Sequence, residues 1–326
     1  MATIRYLPAL GLASLIAVAS IAGANAQQDP AAGAWGKRAA LLEANSEFTT
    51  TELDGRIYVF GGYPSTRKTV TTFQIYDIKT NTWRLGPPLP ELNNHGMSVA
   101  VDGILYLIGG QTDEQRAYVD SVFAFNPKTE TWTAKARMPT KRSAGWAIAH
   151  EGKVYVAGGR PPHGHVFEVY DTKNDKWETL PNLPSQRNHI AGALINGRLH
   201  FVGGRLEGGF MSAKTTAHEV FDPKTRTWSV AAPMLKGRSG INGIMANGCF
   251  HVWGGEYADG VFPDHDYYNP KTDTWSKLPD MVIPIHGVSG SAFRDGLIWV
   301  TGGGTAKGGS SGTTLNQVYR PVVKCE

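Results

Sequence analysis

Three arginines at matching places in the chain raise the first chemical question. Arg142, Arg187 and Arg238 each stand sixteen residues before the first glycine of a Gly-Gly pair, and the same count selects Asn45, Asn93 and His286. Fourteen before each pair are Glu47, His95, Ala144, His189, Gly240 and Val288; directly after it are Tyr63, Gln111, Arg160, Arg205, Glu256 and Gly304. A guanidinium is a planar fork matched to carboxylate or phosphate. Several in one pocket repel one another unless an anion or acidic side chains neutralise them. The expectation is an anion clamp in which Arg142, Arg187, Arg238, Arg160, Arg205, His286 and Asn93 bind ligand. The alternative is that Glu47 or Glu256 neutralises the arginines from within. Glu47, Glu256, His95 and His189 are also the candidates for general acid or base chemistry, though no specific catalytic motif singles one out.

Other chemistries find little support. His163 and His165 form a His-Gly-His pair, but the remaining histidines have no ligand spacing, so no metal site and no cofactor are expected. No G-x-S-x-G, P-loop, H-E-x-x-H or EF-hand pattern occurs. The run Gly302–Gly309 looks phosphate-like but follows a strand and opens no helix, so it reads as a loop. Lys and Arg total 32 against 28 Asp and Glu, with no basic block, which argues against nucleic acid as a partner. Two cysteines exclude a disulfide-dense scaffold.

The elements that must position these residues repeat. Doublets stand at Gly61-Gly62, Gly109-Gly110, Gly158-Gly159, Gly203-Gly204, Gly254-Gly255 and Gly302-Gly303, 45 to 51 residues apart. Each follows a short apolar run. Before each run sits a two-residue turn, such as Asp54-Gly55 or Asn196-Gly197, of the kind that tolerates positive φ in a hairpin. A third strand follows downstream, then a polar turn and a tryptophan: Trp83, Trp132, Trp177, Trp228 and Trp275. Each unit is therefore a four-stranded meander, a to d, of about 48 residues. The last unit lacks its tryptophan, whereas Trp35 stands alone near the start. Trp35 precedes Asn45 by ten residues, as Trp83 precedes Asn93 and Trp132 precedes Arg142. The N-terminal strand thus completes the last sheet and closes a ring, which an ordinary β-sandwich would not explain. The doublets mark close backbone approach, and the tryptophans, Trp35 included, are wedges between sheets.

These doublets, hairpins and tryptophans resemble the kelch-repeat family over residues 27–326. The resemblance implies an all-β, six-bladed propeller of four-stranded blades in one domain. It puts strand a on the central channel and the long b–c and d–a loops on one working face. The chain also resembles, distantly, the secreted sialic-acid mutarotases and the galactose oxidases. The oxidase likeness would need copper and a Tyr–Cys crosslink, and neither Cys249 nor Cys325 lies on the loop face. Two functions follow: a propeller binding an anionic small molecule, glycan or acidic peptide or protein at the loop face, or a sugar-acid mutarotase or epimerase in the same pocket.

The first segment reads as an address. Arg5 precedes the apolar stretch Leu7 to Ala22, and Ala24-Asn25-Ala26 is a small-x-small site, so residues 1–26 are expected to be a leader cut after Ala26. The protein is then secreted or periplasmic, and no second apolar run is long enough to span a membrane. On neighbouring blades in an oxidising compartment, Cys249 and Cys325 either pair or remain two free thiols.

Overall fold

The computed structural model describes residues 28–325 apart from 65, 67, 114–116 and 210; the expected leader lies outside them. The described residues form six blades of four antiparallel strands around an axis, the first extended by a short parallel strand from the last, with a small hairpin of Glu256–Tyr257 and Gly260–Val261 beside them. Blade 3 is typical: Trp146–His150 lines the channel as strand a, followed outward by Lys153–Ala157, Phe167–Asp171 and Lys176–Thr179. No helix among the described residues is long and apolar enough to cross a membrane.

Local chemistry explains the meander. Asp54, Asp102, Glu151, Asn196, Asn247 and Asp295 have φ between 49° and 52°, and each precedes a glycine at positive φ, as a tight hairpin of the right twist requires. Strand b carries side chains buried on both faces; Lys153–Ala157 is buried from Val154 onward. Closure occurs as the repeat count implies. Trp35–Lys37 pairs antiparallel with Asn316–Tyr319, matching Trp35 to Tyr319.

Two sets of contacts lock neighbouring blades. Trp83, Trp132, Trp177, Trp228 and Trp275 each donate Nε1–H to a carbonyl of the preceding blade's outer segment: Ala39, Pro87, Ala136, Pro181 and Ala232. Trp132 also packs on Phe60 and Phe73 of blade 1. The second set runs through the doublets. The second glycine donates its N–H to the next blade, as in Gly110 to Arg142 O at 2.8 Å and Gly204 to Arg238 O at 2.8 Å. The first glycine leaves no room for a side chain: a Cβ on Gly61 would lie 2.1 Å from Asn93 O.

Blade 6 departs from the pattern. Its inner strand is broken into Val288–Ser289 and Ala292–Arg294, and the first piece pairs parallel with Phe48–Thr49 of blade 1. Gly290, at φ 91°, sits in the break, where a Cβ would lie 2.0 Å from Thr50 O. Cys249, opening strand b of blade 5, is disulfide-bonded to Cys325, so the C-terminal segment is pinned to that blade.

Candidate functional site

The residues sixteen before each doublet lie inside the blades. Asn45, Asn93, Arg142, Arg187 and Arg238 each donate to the carbonyl of their own blade's first doublet glycine, with Asn93 Nδ2 2.7 Å from Gly109 O and Arg187 Nη1 2.9 Å from Gly203 O. The three arginines are 0% exposed. Arg142 Nη2 meets Glu168 at 2.7 Å, Arg187 Nη2 meets Glu219 at 2.7 Å, and Arg238 pairs with Asp266. These acids stand on strand c of the same blade, so neither Glu47 nor Glu256 neutralises these three, whereas Glu256 does pair with Arg205 at 2.8 Å. Arg142, Arg187, Arg238 and Asn93 are therefore not ligand-facing, which corrects the clamp expected from the spacing. Burial lowers Arg142 to about 10, with Glu168 working against it, so the guanidinium stays charged at neutral pH.

Blade 6 supplies a second correction. Counted from the tryptophan rather than the doublet, the inner layer reads Asn45, Asn93, Arg142, Arg187, Arg238 and Ile285. Its sixth member is Ile285, whose carbonyl takes the Gly255 N–H at 3.0 Å. His286 belongs to the next position, beside Ser46, Asn94, Ser143, Asn188 and Ser239. Each of these pairs with the residue that follows a doublet: Asn188 with Arg205, Ser239 with Glu256, His286 with Gly304. The layer after that is Glu47, His95, Ala144, His189, Gly240 and Gly287, not Val288.

That layer closes on itself. His95 N–H donates to Glu47 O at 2.7 Å, Ala144 to His95 at 2.8 Å, His189 to Ala144 at 2.8 Å, Gly240 to His189 at 3.0 Å, Gly287 to Gly240 at 3.2 Å and Glu47 to Gly287 at 2.5 Å. All six residues have φ between 52° and 70°. Such values are unusual for Glu and Ala, and only a circle that over-determines the backbone holds them there. The ring separates two spaces. Toward the hairpin turns lies a channel of about 450 Å³ lined by strand a, including Thr49, Ser98, Trp146 and Met245. Toward the long loops lies a polar bowl of about 290 Å³.

The bowl gathers Glu47, His95, Arg160, Arg205, Glu256, Tyr63 and Gln111 with Lys307 from the last b–c loop. Arg160 Nη2 is 2.9 Å from His95 Nε2, and its Nη1 donates to Gly208 O at 2.7 Å. Arg205 spans Glu256 Oε1 at 2.8 Å and His189 Nε2 at 2.9 Å. Asn188 Oδ1 accepts from His189 Nδ1 at 2.6 Å, so Nε2 is the acceptor for Arg205. Burial, then the charges of Arg205 and Arg160, holds His189 well below its ordinary value, so the ring is neutral. Asn94 Oδ1 orients His95 in the same way at 2.5 Å, leaving His95 Nε2 facing Glu47 Oε2 across 2.9 Å. Burial pushes the Glu47 carboxyl up, but the neighbouring His95, His286 and Arg160 outweigh it and hold the group well below the usual carboxylate range. The sequence reading missed Lys307 as a bowl residue; its signal was the glycine-rich run already set aside as a loop.

Residues 47–240 match the model for the KLHDC2/KLHL20/DRC7 Kelch-repeats domain, more than half of the chain. The chain belongs to the kelch-repeat family. It is 27% identical over 302 residues to Kelch-like protein terF of Aspergillus terreus, covering 89% of this chain and 56% of that one. It is 25% identical over 247 residues to human Kelch-like protein 23, covering 72% and 41%. This kelch chain thus spans about half the length of these curated relatives. The solved structure titled "Structure of YjhT" superposes with a TM-score of 0.72 at 17% identity, covering 86% of this chain and 96% of that one, a likeness of fold. As a kelch propeller the protein is a scaffold for binding a protein or ligand.

Proposed function

We propose that this kelch propeller works outside the cytoplasm and takes an anionic ligand in its bowl, held by Arg160 and Arg205. The observation that carries the reading is the convergence of these two arginines, from adjacent blades, with Lys307 on one pocket of about 290 Å³. Arg160 and Arg205 are 8% and 3% exposed, so their charges act in a medium of low dielectric, where a carboxylate is strongly attracted. A small acid, a glycan carboxylate or an acidic side chain of a peptide fits this chemistry. The disulfide between Cys249 and Cys325 supports an oxidising compartment, as does the leader read from residues 1–26. Calorimetric titration with a panel of carboxylates and sugar acids tests the reading. At least one should bind, and Arg205→Ala and Arg160→Ala should each weaken it at least tenfold. Equal binding by wild type and both variants would refute it.

A second reading, a mutarotase or epimerase acting on a sugar acid, draws on the Glu47–His95 contact of 2.9 Å. A carboxylate and an imidazole on one proton axis beside an anion site suit acid–base ring opening. Anomer exchange followed by NMR separates the readings: acceleration lost in Glu47→Gln supports the enzyme, and binding without acceleration supports the module.

A further inference from the structure

The geometry points to a divalent metal site on the side of the bowl formed by Glu47, Glu256 and His286; we propose that it holds a first-row ion such as Zn²⁺. The inference begins at His286, which is 1% exposed. Its Nε2 lies 2.7 Å from Ala306 O, and a carbonyl only accepts, so Nε2 carries the hydrogen. In the neutral ring Nδ1 then bears a lone pair, and it makes no hydrogen bond. It faces two carboxylates, Glu256 Oε2 at 3.5 Å and Glu47 Oε1 at 3.8 Å. A lone pair turned toward two buried carboxylates calls for a cation among them.

The spacing suits an ion better than a proton. An N–H···O bond is made at about 2.7–3.2 Å, so at 3.5 and 3.8 Å protonated Nδ1 would pair with the carboxylates only by charge, without a short hydrogen bond. Ligands about 2.1 Å from a tetrahedral ion lie roughly 3.4 Å apart. One ligand atom from each of the three residues lies within 4.8 Å of the others, and the two distances from His286 Nδ1, 3.5 and 3.8 Å, are already close to that separation. The remaining atoms of these groups are already engaged. His286 is oriented by Ala306 O and Glu256 Oε1 by Arg205 at 2.8 Å, and Glu47 Oε2 lies against His95 Nε2 at 2.9 Å. Gly308 N–H, 2.7 Å from Glu256 Oε2, takes one of that oxygen's two lone pairs and leaves the other. Outer partners of this kind hold metal ligands in place. The neighbouring set Glu47, His95 and His189 is also within 4.8 Å, but there Arg160 and Arg205 already sit 2.9 Å from the two Nε2 atoms. One imidazole and two carboxylates suit a divalent first-row ion. The site does not depend on the bowl taking an anion.

The test is Zn²⁺ binding by equilibrium dialysis and elemental analysis, with Co²⁺ in its place for visible spectroscopy. Wild-type protein should bind one equivalent, and Co²⁺ should give the intense d–d bands of a low-coordinate site. His286→Ala and Glu256→Gln should each weaken Zn²⁺ at least 100-fold, whereas His163→Ala, outside the bowl, should leave it unchanged. Absence of stoichiometric Zn²⁺, or binding that survives His286→Ala and Glu256→Gln, overturns the proposal. If a variant fails to fold, the wild-type Co²⁺ spectrum decides: a six-coordinate, aquo-like spectrum refutes the site.

Discussion

Replacing Arg187 by Met separates an arginine that builds a blade from one that binds a ligand. Arg187 donates to Gly203 O at 2.9 Å, Ala217 O at 3.1 Å, Phe201 O at 3.2 Å and Glu219 Oε2 at 2.7 Å, with its side chain 0% exposed. Without it, the buried Glu219 carboxyl keeps the Ser185 hydroxyl, 2.6 Å from Oε1, but loses its guanidinium partner. Removing one partner of a buried pair costs about 3–5 kcal/mol, because the other charge is left uncompensated. At roughly 2–3 °C per kcal/mol for a domain of this size, Tm should fall by about 6–15 °C. Arg187→Met/Glu219→Leu removes both charges, fills similar volume and should recover at least about 2 kcal/mol of the loss. The assay is urea unfolding followed by tryptophan fluorescence, with calorimetry for Tm. A single variant within about 1 kcal/mol of wild type, or a double variant as unstable as the single, would refute the reasoning.

Stability should also fall in acid. Burial lowers His200 to about 3, His218 to about 4 and His251 to about 4, and His265 lies well below its ordinary value. These rings are neutral when folded and protonate on unfolding below about pH 6.5, so stability is full above that pH and declines toward pH 4 by up to about 1.4 kcal/mol per pH unit per group. A urea midpoint that stays flat between pH 7 and pH 5 would contradict this. Reducing Cys249–Cys325, which spans 76 residues, should cost about 4.5 kcal/mol on the chain-entropy model, read as a lower urea midpoint in reductant that Cys325→Ala reproduces. Deleting residues 27–38 removes the strand paired with Asn316–Tyr319 and should expose that edge, giving self-association by light scattering; a monodisperse, equally stable product would argue against the closure.

The ring of blades was legible because each repeat carries its own punctuation, and Trp35 kept the spacing of the other five tryptophans. The site was legible in part. Glu47, His95, Arg160, Arg205 and Glu256 do meet at one bowl, with His189 against Arg205 at its edge, since residues at equivalent repeat positions share a height along the axis. Arg142, Arg187 and Arg238 share a height too, but it lies within the blades. Their partners were visible in comparing repeats: blades 3, 4 and 5 carry Glu168, Glu219 and Asp266 on strand c, where blades 1, 2 and 6 carry Gln74, Phe123 and Gln317. An acid that appears only in the arginine-bearing blades is the mark of an internal pair. The register slip in blade 6 came from counting back across the break at Gly290. Counted forward, all six ring residues, Gly287 included, lie twelve after their tryptophan. The Glu256–His286 proximity had no linear signal, because it is made by loops of different blades.

The circle of amides at the axis divides labour between main chain and side chain. Every bond in it is backbone to backbone, so the width of the central aperture is indifferent to what each position carries outward. Glutamate, histidine, alanine and glycine all occupy it here. A floor built this way can be refurnished, one blade at a time, without redrawing the walls. The six positions therefore form a palette for reprogramming what the bowl recognises, with glycine the least strained blank from which to start.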